Sequence, residues 1–278
     1  AVGNVGQEGA GIVVRVGDLI VDNSYFTTNK AYAGIAGGGG IYGWDTSSLT
    51  IRNSTFAYNG AGASGGGVYY RFNTALLIEN SILWFNSAPT GPDLTAEWGG
   101  TLRYSNVSPG GIAGAPLTTA GNIAVDPQFV GIPYQVGDWT SVSYDSSTRL
   151  TTLTNAGAPF APGELVGHFA HPNTGVAGLY RVIIKNTAST IVLAGDVTPW
   201  VGVGSHYHIH RLDLRPTSPS IDAGDGDAAP VTDIDRQSRF DYVPQPDTGV
   251  GTPSYSDMGA WEYQGPAAVA GFSGHPGP

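Results

Sequence analysis

The stretch Ser48–Asn59, SLTIRNSTFAYN, recurs almost word for word upstream as DLIVDNSYFTTN (Asp18–Asn29) and downstream as ALLIENSILWFN (Ala75–Asn86). Aligned on Leu19, Leu49 and Leu76, the copies share Val21/Ile51/Ile78, Asn23/Asn53/Asn80, Phe26/Phe56/Leu83 and Asn29/Asn59/Asn86, at steps of 30 and 27 residues. A weaker fourth copy, TLRYSNV, places Leu102, Tyr104 and Asn106 in the Leu, Val/Ile and Asn positions. Ahead of each Leu stands a second matched piece, GAGIVVRV, GGGIYGWD or GGGVYYRF, in which glycines lead into a short β-branched or aromatic strand. A period of two within strands and a period of 26 to 30 residues between units describe the coils of a solenoid, each burying its apolar face against its neighbours.

Corresponding residues of successive coils stack at about 4.8 Å. The column Asn23, Asn53, Asn80, Asn106 is therefore expected to bond amide to amide as a structural ladder. These residues resemble the right-handed parallel β-helix proteins of the pectin-lyase-like superfamily, over roughly Gly9 to Val130. The expected fold is all-β, a parallel β-helix solenoid carrying an inserted small antiparallel β-barrel or sandwich. Its coils occupy 1–130, the β-rich insert 131–205, a return to the helix with Asp-rich closing loops 206–263, and a Gly/Pro/Ala tail 264–278. The phrases DPQF (Asp126–Phe129), SPSIDAGDGDAAPVTDIDRQSRFD (Ser218–Asp241) and DMGAWEY (Asp257–Tyr263) are similar to the terminal region of choice-of-anchor Q domain proteins. That resemblance implies an extracellular or cell-surface protein with no established activity; the long insert and the lack of a recognisable anchor after Tyr263 depart from it.

Composition narrows the function classes. Charged residues are only 12%, Gly and Pro number 42 and 19, and the formal charge is -10, so no Lys/Arg cluster exists to neutralise the phosphates of a nucleic acid. No apolar run is long enough for a spanning helix, and with no Cys neither disulfide nor thiol chemistry arises.

Three groups of side chains are candidates for chemistry. Asp222, Asp225, Asp227, Asp233, Asp235 and Asp257 lie in Gly/Pro-rich loops that can fold carboxylates around Ca²⁺; the alternative is that each Asp shapes a turn by accepting backbone N–H groups. His206, His208 and His210 alternate along a strand and project to one side, a geometry for Zn²⁺. Arg15, Trp44 and Arg71 form one outward column beside Val13, Tyr42 and Tyr69, a stripe suited to stacking on sugar rings or packing on a second subunit. Polysaccharide lyase or glycosidase chemistry is disfavoured, because Asp18, Asp22, Asp45 and Glu79 are not expected to fall into a matching column.

The leading expectation is a non-catalytic extracellular structural protein that associates with itself as a filament or surface-layer subunit. Its contacts would come from strand addition at the first coil and from the tail, anchored by Val269 and Phe272. A carbohydrate-binding adhesin using the Tyr/Trp/Arg columns is the alternative.

Overall fold

The computed structural model describes residues 1–32, 37–45, 48–72, 75–176 and 179–265, and no helix occurs among them. Four successive coils contribute one short strand to each of three parallel sheets, and a fifth contributes to the first two. The first sheet stacks Ile12–Val14, Ile41–Trp44, Val68–Arg71, Leu94–Ala96 and Ile112–Gly114. The second stacks Asp18–Asp22, Ser48–Arg52, Leu76–Glu79, Gly100–Arg103 and Leu117–Ala120, and the third Tyr25–Thr27, Thr55–Ala57, Ile82–Trp84 and Asn106–Val107. A short fourth sheet joins Val5–Gly6, Lys30–Ala31 and Gly60–Ala61. The matched phrase is thus a second-sheet strand, a turn and a third-sheet strand. Leu19, Leu49 and Leu76 pair directly in register, as do Phe26 and Phe56, whose rings stack at 4.6 Å.

Alternation turns every second side chain inward. Ile41, Val68, Tyr70 and Leu94 meet Val21, Leu49, Ile51, Ile78, Phe56 and Leu83 in one continuous core that the stack of coils encloses. The fourth copy is offset from the expected alignment. Leu102 pairs with Ile78, and Asn106 pairs with Ile82, so Tyr104 rather than Asn106 follows Asn80.

From Phe129 the chain leaves the coils for a seven-stranded sheet with antiparallel pairing throughout. Its strand order is Phe129–Asp138, His206–Leu214, Phe169–His171, Arg181–Asn186, Thr190–Ala194, Leu150–Thr154, Ser141–Asp145. His206–Leu214 belongs to this sheet, so the return to the coils starts after Leu214 rather than at residue 206. Trp139 and Tyr207 stack at 3.9 Å inside the sheet's own core with Leu153, Ile191, Leu193 and Ile209.

The remaining chain, 215–265, adds no strand and straps across the outer face of the third sheet. Ile82, Trp84 and Ala57 point out of the helix there, into a second core with Phe169, Ile221, Met258 and Trp261. The Gly259 amide donates to Asn80 O at 2.8 Å and the Ala260 amide to Thr55 Oγ1 at 3.0 Å, fixing the strap to individual coils.

Candidate functional site

The asparagine columns divide the ladder role differently from the expectation. The continuous amide chain runs through Asn4, Asn29, Asn59 and Asn86, each side-chain nitrogen donating to the next Oδ1 at 2.8 to 2.9 Å, and it ends on the buried carboxylate of Asp93 at 2.8 Å. Asn23, Asn53 and Asn80 instead hold turn positions with φ of 42°, 41° and 49°, a conformation that Asn tolerates better than most residues. Asn53 Nδ2 has no partner, and the bond from Asn80 to Asn53 is a long 3.4 Å. Asn23 and Asn80 turn outward to the strap, donating to Thr232 O at 2.7 Å and Asp225 O at 2.8 Å. Asn106 donates to Val125 O and Ser220 Oγ, outside any amide ladder. Beside it runs a serine column, in which the amides of Ser24, Ser54 and Ser81 donate to the hydroxyls of Ser54, Ser81 and Ser105 at 3.1 to 3.2 Å.

Contrary to the expectation, two of the four acidic coil residues, Asp22 and Glu79, do share a column, because each stands three residues after its repeat's Leu; the column is one of ion pairs rather than of paired carboxylates. The register aligns Asp22, Arg52, Glu79 and Arg103 in one column of alternating sign, and Glu79, fully buried, pairs with both arginines, at 3.5 Å from Arg52.

The outward stripe of the first sheet is partly covered and partly open. Tyr42 and Tyr69 point away from the core as expected, yet turns at Gly38 and Gly65 (φ 82° and 59°) lie directly over their Cβ atoms and bury both rings. A Cβ on either glycine would fall within 2.7 Å of the tyrosine Cβ, so the cover requires glycine. Open to solvent are Trp44 at 36%, Phe72 at 41% and Trp98 at 57%, one from each of three successive coils. Trp44 meets Phe72 at 5.2 Å between ring centres, and Phe72 meets Trp98 at 6.5 Å. The Arg71 guanidinium lies between the first two rings, 4.8 Å from Trp44 and 4.6 Å from Phe72, and pairs with Glu97 at 3.1 Å. Glu97 also accepts the Tyr69 hydroxyl, which together with burial raises the Tyr69 pKa. Arg15, at the edge of the stripe, pairs with Glu8.

Phe72, Glu97 and Trp98 are the members that sequence reading passed over. The signal was present, since LTAEW (Leu94–Trp98) aligns with VYYRF (Val68–Phe72), but Leu94 follows no Gly-rich lead.

The six aspartates do not converge. Asp225, Asp227, Asp233, Asp235 and Asp257 accept amide or indole N–H groups from Asp227, Thr252, Gln237, Trp261 and Tyr263 in turn, which is turn-shaping work. Asp222 alone joins a carboxylate cluster, with Asp241 and Asp247. His206, His208 and His210 share one face, with ring centres 5.5 and 5.9 Å apart, but among the described residues no three histidine and acidic donors meet there. His206 bonds Asp138 at 2.8 Å, and His210 turns inward onto Phe169, at 5.0 Å, in a cavity of about 420 Å³ between the coils and the antiparallel sheet. Burial pushes the His210 pKa down to about 3 and that of His168 to about 4.

No known family, curated protein or solved structure matches the chain. Among the described residues, no helix is long and apolar enough to cross a membrane.

Proposed function

We propose that this is a non-catalytic carbohydrate-binding protein of the cell exterior, in which the β-helix is a rigid rack for the file Trp44, Phe72 and Trp98. The observation that carries this reading is the exposure of three large aromatic rings in contact across consecutive coils, Trp44 standing in register with Arg71 and Phe72 one position further along the next strand. Coils repeat at about 4.8 Å, close to the rise of one pyranose in an extended chain, and the neighbouring ring planes are inclined by 65° and 59°, so the file offers faces and edges in turn to the C–H groups of a glycan. The stacked sheets hold the rings without loop ordering, which keeps the entropic cost of binding low. Arg71 and Glu97 supply hydrogen-bonding groups at the centre of the file.

The preferred ligand is an uncharged glycan. Both arginines of this face, Arg15 and Arg71, are already neutralised by Glu8 and Glu97, and the chain carries a formal charge of -10. An exterior location is favoured by the likeness of the 218–241 and 257–263 phrases to the choice-of-anchor Q type. Self-association through Val269 and Phe272 concerns residues outside those described.

The test is binding of the purified protein to an array of neutral and acidic oligosaccharides, followed through tryptophan fluorescence. Saturable binding to an extended neutral glycan is expected; failure to bind any sugar, or binding confined to acidic ones, sinks the reading.

A further inference from the structure

Asp222, Asp241 and Asp247 bring one carboxylate oxygen each to within 4.8 Å of one another. Asp241 and Asp247 are exposed, as acidic surface groups commonly are. Asp222 is different: it is fully buried, and neither of its carboxylate oxygens has a hydrogen-bond partner. The Tyr242 amide lies near enough to favour the charged form but makes no bond of proper geometry. A buried carboxylate without a partner is costly. Here burial, Asp247 and then Glu262 and Asp241 push its pKa up to about 7. The nearby cation, Arg239, is bonded to Glu262 at 2.7 Å and to Pro230 O.

The backbone holds this arrangement in place independently of any ion. The Asp222 amide donates to Asp257 Oδ1 at 2.8 Å, and Asp222 O accepts the Thr248 and Gly249 amides at 2.9 Å each. Between Asp241 and Asp247 the chain reads YVPQP, and the Gln245 amide closes a turn onto Tyr242 O at 2.7 Å, so two prolines and a turn pre-shape the loop that carries the outer carboxylates. The donors are all oxygen. Ca²⁺ takes such donors at about 2.3 to 2.6 Å in flexible geometry, so oxygens sharing one ion lie no more than roughly 5 Å apart, a condition the three carboxylates meet.

We propose that Asp222, Asp241 and Asp247 form a Ca²⁺ site, with the buried Asp222 carboxylate as its floor, that staples the 241–250 loop to the closing strap. Water and loop carbonyls complete the shell. The strap is in turn tied to the coils, since the Asp225 amide donates to Asn80 Oδ1 and Asn80 Nδ2 returns a bond to Asp225 O. The ion therefore tightens the closure of the fold and takes no part in sugar contact. This ligand set differs from the six aspartates that the sequence suggested, sharing only Asp222.

The test titrates CaCl₂ into the chelator-treated full chain by calorimetry and by thermal melting, alongside D241N/D247N and D222N. The double variant alters only exposed groups and keeps the fold. Expected are saturable Ca²⁺ binding with a rise in Tm, a smaller response to Mg²⁺, and weakening of roughly tenfold or more in the double variant. D222N should melt higher than the ion-free parent while losing the Ca²⁺ response. Absence of heat and of any Tm shift in the parent up to millimolar Ca²⁺, or a shift that survives in D241N/D247N, overturns the proposal.

Discussion

Replacing Asn59 by Ala should be far more damaging than replacing Asn53 by Gly, although both asparagines are buried and recur in the same repeat. Asn59 Oδ1 accepts the Asn29 amide at 3.1 Å and Asn29 Nδ2 at 2.8 Å, while its Nδ2 donates to Phe26 O at 2.8 Å and Asn86 Oδ1 at 2.9 Å. Truncation leaves the buried Asn29 amide and one bond each of Phe26 O and Asn86 Oδ1 unmet. At about 1 to 3 kcal/mol for a stranded buried group, the total is on the order of 4 kcal/mol. The Asn53 side chain makes only the 3.4 Å contact with Asn80, its Nδ2 is unpartnered, and its φ of 41° suits glycine. Asn53→Gly should fall within about 1 kcal/mol of the parent. Urea unfolding reads the difference directly: with a slope of about 2 kcal/mol per molar, the Asn59→Ala midpoint drops by roughly 2 M while the slope holds. Equal shifts for the two variants, or a loss below about 1 kcal/mol for Asn59→Ala, would refute the assignment of the ladder to the Asn29/Asn59/Asn86 column.

Acid should weaken the fold through two histidines. The folded pKa values of His168 and His210, about 4 and about 3, lie below the unfolded value of 6.5, so the stability they contribute is full above 6.5 and declines as pH falls toward those values. At pH 5 the loss is about 2 kcal/mol per histidine. The buried Asp222 carboxyl, raised to about 7, gains stability over the same range, so the test is the difference between parent and His210→Phe: the parent should lose about 2 kcal/mol more between pH 7 and pH 5 than the variant, and equal profiles would contradict the burial argument. Close backbone approach makes a separate demand: a Cβ on Gly39 would sit 2.4 to 2.7 Å from backbone atoms of Gly66 and Gly60, whereas one on Gly163 (φ 82°) meets nothing within 4 Å. Gly39→Ala should thus lower stability by about 3 kcal/mol and Gly163→Ala by about 1 kcal/mol in the same assay, and equal losses would show that coil spacing is not limiting.

Much of the solenoid was legible because its inward residues obey two periods at once, two along a strand and nearly thirty between coils. That is why Leu49, Ile51 and Phe56 were placed correctly against their counterparts. The same periodicity cannot tell the two asparagine columns apart, since Asn53 and Asn59 recur with equal fidelity, and only the backbone conformation separates a turn with positive φ from a ladder. The fourth coil slipped by two residues because Gly100 stands opposite Leu76, leaving Leu102 to mimic the repeat's opening Leu. Parity was right for Tyr42 and Tyr69, but their burial depends on turns that arch back over the sheet, which no periodicity records. The carboxylate cluster was half legible: Asp222 stands in a phrase dense in Asp, while Asp241 and Asp247 reach it from a proline-rich loop about twenty residues away in sequence.

The most direct test of the sugar-binding account is a titration of the array's best neutral oligosaccharide into the parent and into Trp44→Ala/Trp98→Ala. Both substitutions lie outside the enclosed core, so the fold should persist, and circular dichroism checks that it does. Stacking of an aromatic ring is worth about 0.5 to 1.5 kcal/mol beyond area burial, so losing two rings predicts weakening of roughly tenfold or more, with tryptophan fluorescence responding in the parent. Unchanged affinity in the double variant would contradict the account, because the sugar would then be held somewhere other than the Trp44–Phe72–Trp98 file.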